Sequence, residues 1–178
     1  MRYIIALVLC LPTGLWANNW DALRAPDAIA IMRHALAPGG GDPTNHTIGD
    51  CTTQRNLSDQ GRAQARRIGQ ALRAQKITFD MVYTSQWCRT SETARLLEYG
   101  SPRKAPALNS FFGNPALRAP QTRDLRAQLE RTEGLNIWVT HQVNISALTG
   151  TGTSSGEIIV FRLTPDGTEI LGRIMIDP

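Results

Sequence analysis

The stretch Ala28-Ile29-Ala30-Ile31-Met32-Arg33-His34 is an apolar run that ends in an arginine–histidine pair. A long loop rich in glycine, proline, asparagine and threonine follows at residues 35–53. Buried parallel strands are near-continuous apolar runs, and their carboxyl ends form the edge at which α/β sheets carry their sites. The stretch therefore predicts a central strand that delivers two polar side chains to a site, with the loop beside it.

Apolar segments with strand character alternate with amphipathic helical segments along the rest of the chain. The patterns predict helices at residues 58–75, 86–99, 122–132 and 144–148, and strands at residues 27–32, 79–83, 104–108, 136–140, 158–163 and 169–176. Such alternation is typical of an α/β three-layer sandwich with helices on both faces of a mostly parallel central sheet. The last two strands form a hairpin, which adds an antiparallel edge.

Composition indicates one globular domain and argues against a nucleic-acid partner. The 178 residues are 42% hydrophobic and 19% charged, which is ordinary for a globular protein. The formal charge is +4, and all basic residues except Lys76 and Lys104 are arginine. These arginines are dispersed along the sequence, so no basic stripe for nucleic acid is expected. The composition gives no indication of the oligomeric state.

The amino-terminal segment, residues 1–17, has the pattern of a signal peptide. Met1-Arg2 is positively charged, and the apolar run from Tyr3 to Leu11 is too short to span a bilayer. Cleavage after Ala17 is one interpretation, although Leu15 is larger than the residue usual at that position. We therefore expect residues 18–178 to form a single exported domain, periplasmic or secreted, without stable membrane insertion after cleavage.

The two cysteines that remain after residue 17 admit two interpretations. In an oxidising compartment the even pair Cys51 and Cys88 favours a disulfide, whereas two buried free thiols are the alternative. No spacing of cysteine and histidine resembles a zinc site.

Polar side chains follow three of the predicted strands. Arg33 and His34 end the first, Ser85 and Arg89 follow the second, and His141 ends the strand at residues 136–140. Because the carboxyl ends of parallel strands share one edge, two arginines and two histidines are expected to converge beside a helix N-terminus. Guanidinium forks and helix amides bind oxyanions, and a neutral imidazole can accept a phosphoryl group. This set predicts a phosphate site that uses no metal and no other cofactor.

Four segments resemble the motifs of one family, the histidine phosphatase superfamily (branch 1), with the phosphoglycerate-mutase-like fold. Residues 32–35 resemble its Arg-His-Gly motif, although Ala35 replaces the glycine. Residues 57–65 are similar to its Leu-Ser/Thr-x-x-Gly-x-x-Gln-Ala helix start, and residues 85–94 to its Ser-x-x-x-Arg segment. Residues 139–141 resemble the strand that bears the second histidine.

The resemblance implies a metal-independent phosphatase that hydrolyses phosphomonoesters or related phosphates through a phosphohistidine. By position, His34 would be the nucleophile, Arg33 and Arg89 would bind the phosphate, and His141 would serve both catalysis and phosphate binding. The usual acid is missing, because residues 108–113 hold no carboxylate. Glu157 is the candidate catalytic proton donor, ahead of Asp50 and Asp124. The alternative is a non-catalytic phosphate-binding member of the same fold.

The expected substrate carries its phosphate on a larger molecule. Relatives with a large cap domain have a long insertion near the arginine-bearing segments, and this chain has none. We therefore expect an open pocket, and phosphate on an envelope glycolipid such as lipopolysaccharide is one substrate that fits an exported enzyme.

Overall fold

The computed structural model describes residues 18–176, which build a sheet of six strands. The strands are β1 (Ile29–Arg33), β2 (Met81–Thr84), β3 (Arg103–Lys104), β4 (Asn136–Thr140), β5 (Ile158–Thr164) and β6 (Gly167–Ile174). Their order in the sheet is β3-β2-β4-β1-β5-β6. The first four strands run parallel, whereas β5 is antiparallel to β1 and to β6. The mixed sheet with an antiparallel edge confirms the predicted fold class.

Four helices cover the two faces of the sheet. They are α1 (Asp59–Ala74), α2 (Cys88–Leu96), α3 (Arg118–Glu130) and α4 (Gln142–Thr149). The apolar residues of α1 and α2 form one core with one face, and those of α3 and α4 form a second core with the other. No helix in the described part of the chain is long and apolar enough to cross a membrane.

Helix α1 fixes the backbone that follows β1. The Ser58 hydroxyl accepts a hydrogen bond from the Gly61 amide at 3.1 Å, which caps the helix as its sequence predicts. A Cβ at Gly61 would collide with the backbone of Leu36, so glycine allows the helix to approach this closely. Because Leu36 lies two residues after His34, this contact positions the chain at the end of β1.

Two predicted boundaries differ from the structure for reasons that involve proline. Strand β3 ends at Lys104, because Pro106 has no amide hydrogen for the sheet and begins a short 3₁₀ helix instead. Helix α3 begins at Arg118, before Thr122, because Pro120 lies in its first turn, where the amide needs no partner within the helix. The predicted signal peptide, residues 1–17, lies outside the described residues.

Candidate active site

The carboxyl ends of β1, β2 and β4 bring the predicted site residues together. Strand β4 lies between β1 and β2, so His141 follows the central strand of this edge. The rings of His34 and His141 lie 5.5 Å apart, centre to centre. Both histidines line a cavity of about 330 Å³, together with four charged residues and several loop residues. The charged residues are Arg33, Asp42, Arg55 and Arg89.

The hydrogen bond of His34 determines which ring nitrogen can act as a nucleophile. Its Nδ1 lies 2.7 Å from the carbonyl oxygen of Ala35, and a carbonyl can only accept, so Nδ1 carries the proton. Burial, with a smaller contribution from the charges of nearby arginines, lowers the pKa of His34 to about 3, although the hydrogen bond to the Ala35 carbonyl acts to raise it. His34 is therefore neutral at physiological pH, with its lone pair on Nε2.

His141 is held by a hydrogen-bond chain that assigns its protons as well. A guanidinium can only donate, so the Arg89 Nη2, 3.3 Å away, makes Nδ1 of His141 the acceptor. Nε2–H then donates to the Ser85 hydroxyl at 2.9 Å, and that hydroxyl lies 2.6 Å from Thr90 Oγ1. Burial, followed by the nearby His34 and the arginines, lowers the pKa of His141 well below its ordinary value. Both histidines are thus neutral.

Arg33 and Arg55 add positive charge to the cavity lining. Arg33 Nη1 donates to the Gln142 side chain at 2.8 Å and to the Thr153 carbonyl at 3.0 Å. Arg55 donates from Nε to the Gly41 carbonyl at 2.9 Å and from Nη1 to the Ala37 carbonyl. Burial lowers the pKa of both guanidinium groups, and the charge of Arg89 adds to the effect. Arg55 is therefore a third cation in the site, and it also fastens the loop.

Asp42 occupies the fork of Arg89. The two carboxylate oxygens lie 2.7 Å and 3.0 Å from Nη1 and Nη2, and the side chains are 9% and 2% exposed. Burial alone would raise the pKa of Asp42, but the hydrogen bonds and charge of Arg89 hold it below its ordinary value, with help from Arg55 and Trp87. The carboxylate is therefore ionised, and it neutralises one of the three arginines.

The amides of the three residues at the start of α2 and just before it are hydrogen-bonded to side chains of the chain itself. The Gln86 amide donates to the Asn109 side chain at 2.9 Å, and the Cys88 amide donates to the Gln54 side chain at 2.9 Å. The Trp87 amide donates to the Ser85 hydroxyl at 3.2 Å. These three amides are therefore not available to an oxyanion, whereas the arginines lie in the cavity lining.

Glu157 does not line this cavity. Its carboxylate pairs with Arg173 at 2.8 Å and accepts a hydrogen bond from the Ser154 amide at 2.7 Å, and Glu157 lines a separate cavity. Its backbone carbonyl accepts from the Arg33 amide, so only the main chain of Glu157 adjoins the site. The geometry therefore gives no support to Glu157 as the proton donor. The lower-ranked Asp50 and Asp124 are likewise absent from the residues that line the His34 cavity.

The structure joins Cys51 to Cys88 in a disulfide. Cys51 lies in the loop after β1, and Cys88 is the first residue of α2, immediately before Arg89. The bond therefore ties the loop that carries Asp42 and Arg55 to the helix that carries Arg89.

Two charged residues of the cavity, Asp42 and Arg55, were not among the residues singled out from sequence. They lie 47 and 34 positions before Arg89 in the chain and reach it through a loop without periodicity. The long loop itself was the available indication, because it predicted cavity lining without saying which side chains point inward.

Within residues 18–176, no group of three His, Cys, Asp or Glu side chains could hold a metal ion. The absence of a metal from the reaction stays a prediction.

The family model of the histidine phosphatase superfamily (branch 1) matches residues 29–110. This match contains His34, the α1 start and the segment that bears Arg89, in the order that the sequence motifs predicted. Over this segment the chain is similar to the histidine phosphatase superfamily, branch 1. No curated protein sequence matches it significantly.

Several solved structures share the fold of this chain at low sequence identity. The protein histidine phosphatase SixA, in complex with tungstate, is 17% identical with a TM-score of 0.59, and the match covers 83% of this chain and 96% of that one. A phosphoserine phosphatase variant from Entamoeba histolytica, in complex with phosphoserine, is 13% identical with a TM-score of 0.61, at 83% and 96% coverage. The protein of open reading frame Rv3214 from Mycobacterium tuberculosis is 18% identical with a TM-score of 0.61, at 82% and 96% coverage.

Proposed function

We propose that the protein is an exported phosphatase that hydrolyses phosphomonoesters or related phosphates through a phosphohistidine at His34. The observation that carries this proposal is the state of His34: a buried, neutral imidazole whose proton is held on Nδ1 by the Ala35 carbonyl. His34 lines a cavity that is also lined by three arginines. A neutral nitrogen nucleophile among fixed cations suits attack on an anionic phosphoryl group.

The reaction has two steps on this site. The Nε2 lone pair of His34 attacks phosphorus, the bond from phosphorus to the leaving oxygen breaks, and that oxygen gains a proton. Water then attacks phosphorus, gives up a proton, and the phosphorus–nitrogen bond breaks, which returns the electron pair to Nε2. Arg33, Arg55 and Arg89 offset the charge on the phosphoryl oxygens in both steps.

Among residues 18–176, the site offers no evident donor of the proton that the leaving oxygen needs. Asp42 is the carboxylate that lines the cavity, and its ion pair with Arg89 keeps it deprotonated. We therefore expect faster turnover of substrates whose leaving group needs little protonation, such as acyl phosphates, phosphoanhydrides or phosphohistidine, than of alkyl phosphates. The same observation favours a second candidate function, a non-catalytic phosphate-binding protein.

A large phosphorylated molecule is the proposed substrate, with an envelope glycolipid such as lipopolysaccharide as the leading example. The cavity is bounded by Gly39, Gly40 and Gly41 and by Phe112, whose ring is 65% exposed. Such a rim leaves room for the body of a large substrate and offers it an apolar contact. Hydrolysis of phosphorylated saccharides should then exceed hydrolysis of nucleotides, and the reverse preference would contradict this part of the proposal.

Export of the protein is proposed from the pattern of residues 1–17, and the Cys51–Cys88 bond supports it, because such bonds persist in oxidising compartments. Fractionation of cells that produce the full chain tests the location. Recovery of an uncleaved protein in the cytoplasm would contradict export without bearing on the chemistry at His34.

The catalytic proposal is tested with an aryl phosphate and three proteins: the wild type, His34→Ala and His46→Ala. His46 is a matched control, because it lies outside the cavity lining. Loss of turnover in His34→Ala alone supports the proposal, and equal rates in all three would overturn it. A titration with inorganic phosphate beside the assay identifies a non-catalytic binder, which binds phosphate in the wild type without any turnover.

A further inference from the structure

Four donors converge on the carboxylate of Asp42. Besides Nη1 and Nη2 of Arg89, the Arg55 amide donates to Oδ1 at 3.1 Å and the Trp87 indole donates to Oδ2 at 3.0 Å. Two parallel bonds from a guanidinium to one group are the geometry in which arginine binds a phosphate. Asp42 thus presents two oxygens to Arg89 in the manner of a bound phosphoryl group.

Arg89 has no Nη proton left for a substrate in this arrangement. Its Nη1 bonds Asp42 and the Arg55 carbonyl, the latter at 3.3 Å, and its Nη2 bonds Asp42 and Nδ1 of His141. A guanidinium has two protons on each Nη and one on Nε, so these four bonds use all four Nη protons. The remaining Nε–H is buried and has no partner among residues 18–176. A phosphoryl group can therefore engage the Arg89 fork only if Asp42 leaves it.

We infer that Asp42 is an internal anion that holds the place of the phosphoryl group on Arg89, and that substrate binds by exchange with it. This inference rests on the phosphate site of the proposed function. Exchange makes Asp42 a specificity-determining residue, because the incoming group must outcompete a carboxylate for a buried cation. A phosphomonoester dianion meets three arginines with twice the charge of the carboxylate, whereas a phosphodiester offers one charge only. The preferred substrate class is therefore the terminal phosphate.

Contacts within the loop limit how far the segment around Asp42 can move during the exchange. Arg55 is fastened to the Gly41 and Ala37 carbonyls, and the disulfide holds Cys51 next to Arg89, so the two ends of the loop stay in place. Gly39 and Gly40 lie between these two fastened carbonyls and supply backbone freedom close to Asp42. Exchange requires this segment or the Asp42 side chain to rotate until the carboxylate leaves the fork.

Equilibrium binding tests the exchange without any need for turnover. Inorganic phosphate and dimethyl phosphate, as dianionic and monoanionic probes, are titrated calorimetrically at a pH of about 8. The proteins are the wild type, Asp42→Asn and the control Asp50→Asn, an exposed aspartate of the same loop that lies outside the cavity lining. We expect Asp42→Asn to bind phosphate about tenfold more tightly or better, and the wild type to bind phosphate more tightly than dimethyl phosphate. Asp50→Asn should match the wild type. Equal or weaker phosphate binding by Asp42→Asn would overturn the inference.

A second variant keeps the charge of Asp42 but removes one of its hydrogen bonds. It tests the exchange even if Asp42→Asn does not fold. Trp87→Phe removes the indole donor to Oδ2 and retains an aromatic ring beside His141. Exchange predicts several-fold tighter phosphate binding by Trp87→Phe, whereas simple charge repulsion from a fixed Asp42 predicts no change and would refute exchange. Phosphate should also shift the indole N–H resonance of Trp87 in the wild type, and an unshifted resonance at saturation would refute it too. A protein that binds phosphate but never turns over passes these tests while it fails the proposed function.

Discussion

The carbonyl oxygen of Ala35 lies 2.7 Å from Nδ1 of His34, the residue directly before it. This local contact assigns the proton to Nδ1 and the lone pair to Nε2, so phosphorylation is expected on Nε2. The wild type mixed with an aryl phosphate and quenched in base should yield phosphohistidine at residue 34, with phosphorus on Nε2 by NMR. His34→Ala should yield none. Phosphate on Nδ1 would contradict the tautomer assigned here.

Stability should fall with acid because His34 and His141 are buried as neutral rings. The pKa of His34 is about 3 in the folded protein against 6.5 for the ordinary side chain, so the unfolded chain binds the extra proton between these values. The free energy of unfolding should therefore decrease as pH falls below 6.5, by about 2 kcal/mol between about pH 8 and about pH 5 through His34 alone. Urea unfolding at both pH values measures this. A His34→Asn variant should lose less, and an equal loss in both proteins would contradict the assignment.

Removal of the Cys51–Cys88 bond should destabilise the protein and weaken the site together. The bond closes a loop of 37 residues in sequence separation, so its loss should cost about 4 kcal/mol in the chain-entropy account. Turnover should fall as well, because the loop with Asp42 and Arg55 is no longer fixed beside Arg89. Urea unfolding and activity of the wild type with and without reductant measure both effects. The double variant Cys51→Ser, Cys88→Ser should resemble the reduced wild type and ignore the reductant.

Gly61→Ala should be costly despite its position in a helix, where alanine is usually preferred. The added Cβ would meet the Leu36 backbone and push α1 away from the chain that follows His34. We expect a loss of about 1–3 kcal/mol in the free energy of unfolding, with reduced turnover. Gly113→Ala is the matched control, because nothing lies within 4 Å of a Cβ at that position. If both variants were equally stable, the close approach of α1 to Leu36 would be refuted.

Glu157→Gln should retain the turnover number of the wild type. The side chain lies outside the His34 cavity and pairs with Arg173, so its loss affects folding more than chemistry. Thermal unfolding should occur at a lower temperature, while the kcat for an aryl phosphate changes by less than about twofold. A large fall in kcat with KM unchanged would restore Glu157 as the proton donor that the sequence suggested.

The sequence predicted the residues placed by regular structure and missed those placed by the loop. Arg33, His34, Arg89 and His141 follow strands that are recognisable by their apolar runs, and parallel strands bring such ends together. Asp42 and Arg55 lie in the loop at residues 35–58. This loop has no periodic pattern from which the direction of a side chain could be predicted. Glu157 directly precedes β5, and because β5 is antiparallel to β1 the main chain of Glu157 lies at the edge of the site, but its carboxylate turns toward Arg173. Pattern predicts elements, whereas loop contacts depend on packing of the complete chain.

Strand β4 joins the two halves of the sheet, and it comes late in the chain. Strand β1 pairs only with β4 and β5, and β2 pairs with β4 and the two-residue β3, within the described residues. A growing chain that has not reached residue 136 therefore cannot form a sheet around β1. The residues that pair with β1 on β4 are synthesised more than a hundred positions later. For the proposed export, this order of assembly leaves the sheet unformed until about three quarters of the chain has been synthesised, and a narrow secretion channel accepts an unfolded chain.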